Sequence, residues 1–275
     1  MQIDTKLADI GDEVPVAVSA FSPDGFKKIR LGGLAIAVST RAEAAKYLVD
    51  YALHKRAGTK PLYVTSANGQ VLSMCARDPD IRDLFDKADL IHADGQPLVV
   101  ASRRYCSNPL PERVATTDLF HDIAKVAECW GASFYIFGAA EAINARATAN
   151  IRAKYPLLNI AGRRNGYYGA DEESDIVHKI NALRPDILWV SLGAPLEQQF
   201  VCRNISKLTN VGVIKTAGGL LDFVAGERKR APKWMQDWSL EWLYRTWLEP
   251  ARLGPRYLET NMHSARLLAT QSGDL

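Results

Sequence analysis

Short apolar runs alternate with amphipathic stretches along most of this chain. The apolar runs are rich in β-branched and aromatic residues, and several end at glycine, which is typical of buried strands. The stretches between them repeat apolar residues every three or four positions, as one face of a helix does. The pattern predicts strands at 34–38, 61–64, 89–92, 134–137, 157–161, 187–192 and 211–216. It predicts helices at 40–52, with Thr40 as the cap, and at 68–76, 80–85, 97–104, 118–130, 141–154, 171–183 and 195–208.

Strands that alternate with helices of this length predict an α/β fold, with a Rossmann-like, mainly parallel sheet or sheets flanked by helices. Residues 1–28 have weak periodicity and predict an irregular lead-in. Residues 29–228 then form the predicted α/β domain, and a subdivision near residue 131 is compatible with the pattern although no shift in composition marks it. Residues 229–275 break the alternation and predict a helical C-terminal appendage.

The beginning of that appendage has an unusual composition. Residues 226–257 contain four of the six tryptophans, with seven Lys/Arg and four Asp/Glu residues, so their net charge of +3 equals that of the whole chain. Pro250 and Pro255 are expected to end or break the helix there. A spacing of four would put three tryptophans on one helical face: Trp234, Trp238 and Trp242. Such a stripe packs on the core or faces a membrane or partner, and the spacing leaves both open.

Composition narrows the class of protein. The chain of 275 residues is 47% hydrophobic and 24% charged, which is ordinary for a soluble globular protein. No apolar run approaches the length of a spanning helix, and the N-terminus does not resemble a secretory signal. The cysteines and histidines show no metal-ligand spacing, so we expect no metal site and no disulfide framework. The small net charge, confined to one segment, argues against nucleic-acid binding.

Ligands of open α/β sheets bind beyond the carboxyl ends of the strands, near helix N-termini. Glycines follow three of the predicted strands there: Gly138, Gly193, Gly218 and Gly219. Each alone is better explained as a turn residue, but at three corresponding strand ends they make a nucleotide-type pocket an equal alternative. Because the chain has neither a GxGxxG nor a GxxxxGK[ST] motif, NAD(P) and P-loop nucleotides are less favoured ligands.

Polar residues lie at the same predicted strand ends. They are Ser66 and Asn68, Asp94, Glu197 and Gln198, and Asp222. Asp94 is interpreted either as a helix cap or as a general base that takes a proton from a hydroxyl nucleophile. Arg113 is a candidate partner for a phosphate, or else forms a salt bridge with Glu112 or Asp118.

In their order and spacing these motifs resemble the WecG/TagA/CpsF glycosyltransferases, glycosyltransferase family 26. The resemblance covers about residues 30–258. It rests on SAN at 66–68, ADGQPLVVASR at 93–103, ERVATTDL at 112–119, FGA at 137–139, YP at 155–156, GYY at 166–168, RPDILWVSLGAPLEQ at 184–198, and the tail motifs GGLLDFVAGERKRAPKW and EWLYRTWLEPARL.

The resemblance implies an inverting, metal-independent enzyme without a cofactor. Such an enzyme moves N-acetylmannosamine, its uronic acid, glucose or a related sugar from a UDP-sugar to a polyprenyl-diphosphate-linked saccharide. It works at the inner face of the cytoplasmic membrane, in the synthesis of bacterial exopolysaccharide or other surface glycans. A peripheral membrane position in the cytoplasm is therefore expected, and self-association into a homo-oligomer is left open.

The resemblance also implies roles for particular residues. It places the catalytic aspartate on Asp94, with Ser66, Asn68 and Arg113 beside it. The nucleotide pocket corresponds to Gly138, Gly193, Glu197, Gln198, Gly218, Gly219 and Asp222. The acceptor diphosphate and the membrane are assigned to Arg245, Arg252 and Arg256 and to the stripe formed by Trp234, Trp238 and Trp242.

Several positions depart from the family pattern. Ser66 replaces the usual threonine, PLEQ at 195–198 replaces PKQE, Thr116 stands where glycine is frequent, and Ala139 replaces a glycine. These changes bear on donor specificity more than on the reaction class. Two other functions stay open from the residues: a soluble NAD(P)- or nucleotide-binding α/β enzyme, and a non-catalytic, membrane-associated scaffold of a polysaccharide assembly complex.

Overall fold

The structure is a computed structural model that describes residues 25–275 except 56, 229, 233, 236–239 and 249, and for 241, 242, 245, 248 and 250–258 it describes the backbone alone. Its strands are β1 (Lys28–Leu31), β2 (Leu34–Ala37), β3 (Leu62–Ala67), β4 (Leu90–Ala93), β5 (Ser133–Gly138), β6 (Asn159–Arg164), β7 (Ile187–Ser191), β8 (Val213–Thr216) and β9 (Gly273–Asp274). Its helices are α1 (Arg41–His54), α2 (Gly69–Arg77), α3 (Pro79–Asp86), α4 (Gln96–Tyr105), α5 (Thr116–Trp130), α6 (Glu141–Lys154), α7 (Glu173–Leu183), α8 (Leu196–Asn204), α9 (Leu220–Val224), α10 (Glu241–Leu248) and α11 (Pro250–Thr270).

Six strands form one parallel sheet in the order β4-β3-β8-β7-β5-β6. The predicted α/β fold with a parallel sheet flanked by helices is confirmed. Strand β8 lies between β3 and β7, so strands from both sides of residue 131 pair in the same sheet. Because parallel strands all point the same way, the loops that follow β3, β4, β7 and β8 meet at one edge.

Both faces of the sheet are covered by apolar side chains. On one face Val64, Phe134 and Trp189 pack with residues of α1 and α5. On the other, Tyr63 and Phe137 pack with residues of α7 and α8. Strands buried on both faces read as nearly continuous apolar runs, which is why these strands stand out in the sequence.

A small antiparallel sheet joins the two ends of the described chain. Strand β1 pairs with β2 on one side and with the C-terminal β9 on the other. Helix α11 packs against α2 and α4, and His263 Nδ1 lies 2.8 Å from Ser73 Oγ of α2. The C-terminal end of the chain is therefore held beside the loops that follow β3 and β4.

Most of the predicted elements are present, and the predicted helix 141–154 coincides with α6. The sequence pattern missed β1, the short α9 and the two-residue β9. The expectation that Pro255 breaks the tail helix is wrong, because α11 continues through it to Thr270. An interior proline costs roughly 3 kcal/mol, and the packing of α11 on α2 offsets that cost. Pro250 is the first residue of α11, where a missing N–H costs little.

Some predictions for the two ends of the chain concern residues outside the described ones. At the N-terminus these are residues 1–24 of the predicted lead-in. In the tail they are Trp238 and the side chains of Trp242, Arg245, Arg252 and Arg256. Trp234 and Trp247 are described, and their side chains are 61% and 77% exposed. Of the two alternatives for the tryptophan stripe, packing on the core is therefore not the one that Trp234 adopts. Among the described helices, none is both long and apolar enough to cross a membrane.

Replacing Thr40 by alanine is expected to destabilise the fold by about 1 kcal/mol, the typical value of a helix N-cap. Thr40 Oγ1 accepts a hydrogen bond from the Glu43 N–H at 3.1 Å, and Glu43 Oε2 accepts one from the Thr40 N–H at 2.8 Å. Urea unfolding measures the change. Glu43→Gln retains an acceptor and is expected to lose less, so an equal or larger loss in that variant would contradict the assignment.

Candidate active site

A cleft of about 450 Å³ opens where β3, β4, β7 and β8 end. The loops after these four strands contribute most of the residues that line it. The start of α5 contributes Thr116 and Thr117, and the C-terminal part of the chain contributes Arg228, Arg230, Asn261 and Ser264. The cleft thus occupies the position at which open parallel sheets bind their ligands.

Nine of the predicted site residues line this cleft. They are Ser66, Asn68, Asp94, Arg113, Gly193, Glu197, Gln198, Gly218 and Gly219. The strand order explains the grouping, because β3, β4, β7 and β8 are neighbours in the sheet although they are far apart in the chain. Gly138 and Asp222 are not among the residues that line it.

Asp94 and Arg113 form an ion pair inside the cleft. The Asp94 Oδ1 atom lies 3.6 Å from Arg113 Nη2, and the two side chains are 24% and 16% exposed. The backbone fixes both loops, since the Asp94 N–H donates to Ala67 O and the Val114 N–H donates to Ala93 O. Glu112 and Asp118, the partners suggested for Arg113 by the sequence, both pair with Arg41.

Ser66 lies near the end of β3, and Asn68 directly follows that strand. Asn68 is the N-cap of α2, and its Oδ1 accepts a hydrogen bond from the Val71 N–H at 3.1 Å. Ser66 Oγ accepts hydrogen bonds from Lys215 Nζ at 2.9 Å and from Thr116 Oγ1 at 3.1 Å. Thr116, at which the family often has glycine, therefore supports the predicted catalytic serine.

Lys215 was missed by the reasoning from sequence. It is 0% exposed on β8, and besides Ser66 its ammonium group donates to Thr216 O at 2.8 Å. Burial lowers the pKa of Lys215 to about 8, while the negative charges of Asp94 and Glu197 act in the opposite direction. The available signal was a lysine within the apolar run 211–216, where a charged residue is rarely tolerated without a function.

Glu197 is buried and connects two of the glycine loops. Its Oε2 accepts hydrogen bonds from the Gly193 N–H at 3.2 Å and the Gly218 N–H at 2.9 Å. Both glycines have positive φ, +82° and +55°, a conformation that other residues adopt only with strain. Desolvation raises the pKa of Glu197, and these hydrogen bonds and Lys215 counteract that effect. Glu197 therefore fixes the walls of the cleft.

Gln198 is buried beside Glu197. Its Nε2 donates to Thr65 Oγ1 at 3.2 Å and to Glu197 Oε1 at 3.3 Å. Within the part of the chain that the structure describes, no group donates to its buried Oε1. Two of the three altered positions of the PLEQ segment, Glu197 and Gln198, thus line the cleft, whereas Leu196 is exposed.

The two predicted residues outside the lining have other contacts. A Cβ atom on Gly138 would lie 2.1 Å from Ser191 O, so the close approach of β5 to β7 requires glycine there. Asp222 pairs with Arg228, which does line the cleft, with 3.2 Å between the charged atoms. Asp222 can therefore act on a ligand through that arginine.

Among the residues that the structure describes, three arginines line the cleft, and each has a carboxylate partner. Arg113 pairs with Asp94, Arg228 with Asp222, and Arg230 with Asp118. The sequence reasoning named Arg113 but not the other two, although the ERKR run of the tail was visible. Guanidinium groups bind phosphates bidentately, so this arrangement suits an anionic ligand. No group of three His, Cys, Asp or Glu side chains that could hold a metal ion occurs among the described residues.

Comparison with known proteins gives one family. The model described as "Glycosyl transferase WecG/TagA/CpsF family" matches residues 29–274. Similar proteins are the N-acetylglucosaminyldiphosphoundecaprenol N-acetyl-beta-D-mannosaminyltransferases of Bacillus subtilis and Staphylococcus aureus. The former is 29% identical over 206 residues, covering 75% of this chain and 78% of the relative. The latter, from strain MRSA252, is 26% identical over 196 residues, covering 71% and 76%.

Glu197→Leu is expected to destabilise the fold by roughly 2 kcal/mol, because two buried backbone N–H groups lose their acceptor. Glu197→Gln is the matched control, since its amide oxygen still accepts a hydrogen bond, and it is expected to lose less than half as much. Urea unfolding of both variants makes the comparison. Equal stability of Glu197→Leu and the wild type would show that the carboxylate does not hold the two loops.

Proposed function

The chain belongs to the WecG/TagA/CpsF family of glycosyl transferases, and we propose that its cleft transfers a sugar from a UDP-sugar to a polyprenyl-diphosphate-linked saccharide. The observation that carries the proposal is the Asp94–Arg113 pair in the cleft at the strand ends. The names of the relatives describe transfer of N-acetylmannosamine to an N-acetylglucosaminyl-diphospho-undecaprenol. They support a lipid-diphosphate acceptor and make UDP-N-acetylmannosamine the first donor to test.

Asp94 is the proposed general base. Its carboxylate takes the proton of the acceptor hydroxyl, whose oxygen forms a bond to the anomeric carbon of the donor. The bond from that carbon to the β-phosphate oxygen breaks, and UDP leaves with the electron pair. Attack from the face opposite to UDP inverts the configuration. The partial exposure of Asp94 at the cleft supports this role, because the base has to reach the substrate.

The arginines of the cleft are proposed to bind the diphosphate. Arg113, Arg228 and Arg230 would each exchange part of a carboxylate contact for a phosphate oxygen, and so stabilise the charge that develops on the leaving group. The Gly193, Gly218 and Gly219 loops are proposed to form the wall beside the nucleotide, because Glu197 holds the Gly193 and Gly218 N–H groups in place. Asn68 uses its Oδ1 to cap α2, and its amide NH₂ group is therefore the one proposed to orient the substrate.

The C-terminal part of the chain is proposed to bind the acceptor and the inner face of the cytoplasmic membrane. Asn261 and Ser264 of α11 line the cleft, and the exposed Trp234 and Trp247 precede α11 in the chain. Indole rings are favoured at the level of lipid headgroups. We assign Arg245, Arg252 and Arg256, together with the predicted tryptophan stripe, to the lipid diphosphate and the membrane surface.

Asp94→Asn is expected to lower kcat at least about 100-fold, since a general base typically contributes 10²- to 10⁴-fold. UDP release is measured with a short prenyl-diphosphate-linked N-acetylglucosamine as acceptor. Asp175→Asn, on the exposed surface of α7, is the control and is expected to keep full activity. Full activity of Asp94→Asn would remove Asp94 from the proposed role.

UDP-sugars are expected to raise the melting temperature, because a ligand that binds only the folded state stabilises it by about 2.7 kcal/mol at 100 times its Kd. UDP-N-acetylmannosamine, UDP-glucose, UDP-glucuronic acid and UDP-N-acetylglucosamine are compared with NADH in a thermal shift assay. The best donor is then assayed for transfer. Stabilisation by NADH and by none of the UDP compounds would favour a nicotinamide-dependent enzyme instead.

Membrane binding is tested with the double variant Trp234→Ser/Trp247→Ser, which leaves α11 and β9 in place. Deleting the whole tail would also remove the packing of α11 on α2. Sedimentation with anionic liposomes is expected to fall several-fold in the double variant and to weaken with salt in the wild type. The control Leu157→Ser removes an 81% exposed apolar side chain elsewhere. Equal sedimentation of all three proteins would contradict a membrane role for the two tryptophans.

A further inference from the structure

Three polar side chains lie side by side on one face of the sheet, directly below the cleft. They are His92 of β4, Ser66 of β3 and Lys215 of β8. His92 and Ser66 are partners in register, and Lys215 is the partner of Val64, two residues before Ser66. Side chains two apart on a strand share a face, so all three occupy the face that otherwise carries Val64 and Trp189 of the apolar core.

A buried ammonium group on that face destabilises the folded state. Desolvation of a charge costs several kcal/mol unless it is compensated. Among the described residues, no carboxylate lies within ion-pairing distance of Lys215, and its hydrogen bonds go to neutral oxygens, Ser66 Oγ and Thr216 O. Packing alone would be served better by an apolar residue, as at the neighbouring positions of the same face.

The hydrogen bonds of Ser66 determine where its own proton points. A hydroxyl oxygen has two lone pairs and one hydrogen, and an ammonium group can only donate. Lys215 Nζ and Thr116 Oγ1 both donate to Ser66 Oγ, and they occupy both lone pairs. With both lone pairs occupied, the Ser66 hydrogen is not directed to these two donors and is available to a ligand in the cleft, which Ser66 lines.

We propose that Lys215 is a positioning residue that holds the Ser66 hydroxyl as a hydrogen-bond donor to an oxygen of the bound substrate. This inference rests on the proposed function of the cleft. The most suitable acceptor is a phosphate oxygen of the UDP-sugar, because it carries negative charge that increases as the bond to the sugar breaks. Lys215 itself does not touch the substrate and acts through Ser66.

Loss of the lysine proton should reverse this arrangement. Burial brings the pKa of Lys215 to about 8, so the neutral amine forms as the pH rises through that value. A neutral amine has a lone pair and can accept the Ser66 hydrogen, which then no longer points to the substrate. The charged and titratable groups around it are Asp94 after β4, which pairs with Arg113, together with Glu197 of α8 and His92. Burial and Lys215 lower the pKa of His92 to about 3, so His92 stays neutral throughout this range.

The test compares kcat and KM for the donor between pH 6 and 10 in the wild type and in Lys215→Met. The wild type is expected to lose kcat above about pH 8 with little change in KM. Lys215→Met is expected to lower kcat at pH 7 by about 10- to 100-fold, the usual worth of a hydrogen bond to a charged group, and to have no alkaline decrease of its own. Its melting temperature should equal or exceed that of the wild type, since a buried charge is removed.

Two further variants separate positioning from a structural role. Lys55→Met is the matched control: Lys55 Nζ donates to Thr209 O at 2.8 Å, far from the cleft, and burial also lowers its pKa. This control should retain the kcat and the pH profile of the wild type. In a Ser66→Ala background, Lys215→Met should cause almost no further loss, because the lysine acts through that hydroxyl.

Several results would overturn the inference. One is wild-type kcat in Lys215→Met, and another is additive losses in the Ser66→Ala background. A fall in activity that only follows a lower melting temperature would show a structural role. If Lys215→Met does not fold, Ser66→Ala still tests the inference, because wild-type kcat in that variant would leave the lysine no hydroxyl to act through. An active wild type with an equally active Lys215→Met refutes this inference alone, whereas a wild type that transfers no sugar refutes the proposed function as well.

Discussion

Strand β8 is hydrogen-bonded on both sides, to β3 and to β7, and the site depends on this position. The strand brings Lys215 next to Ser66, although the two are 149 residues apart in the chain. Its end places the Gly218 loop beside the Gly193 loop, where Glu197 can accept hydrogen bonds from both. Without β8 between them, β3 and β7 would not be joined in one sheet, and the two halves of the predicted site would be separated.

Charge in the cleft is balanced in pairs, which fits a site for a charged substrate. In the described part of the chain, Arg113, Arg228 and Arg230 line it, and each has an aspartate partner. These pairs are partly exposed, so a diphosphate can replace a carboxylate oxygen at limited cost in desolvation. Lys215 and Glu197 are buried instead. Lys215 donates to the Ser66 hydroxyl and to a backbone carbonyl, and Glu197 accepts from two glycine N–H groups and from the Gln198 amide. In the proposed function, the partly exposed charges bind the substrate and the buried ones hold the loops in place.

The C-terminal part of the chain belongs to both the fold and the site. Strand β9 completes the small sheet with β1, and α11 packs on α2. The same helix places Asn261 and Ser264 at the cleft. A membrane-facing role for the exposed tryptophans and a packing role for the end of the chain are therefore compatible, because different residues of the segment carry them.

The local elements and the residue types of the site can be predicted from the amino-acid sequence alone. Strand and helix periodicities are local, so α6 and most strands were correctly predicted, and the motifs at 66–68, 93–103 and 112–119 identified residues that line the cleft. Strand order is not local, and the pairing of β8 with β3 is therefore decided only by tertiary packing. That pairing gives Lys215 its partner and its lowered pKa, and the approach of β5 to β7 gives Gly138 its reason to be glycine. Pro255 is a similar case. The local preference of proline predicts the end of a helix there, but α11, which packs on α2, runs through it.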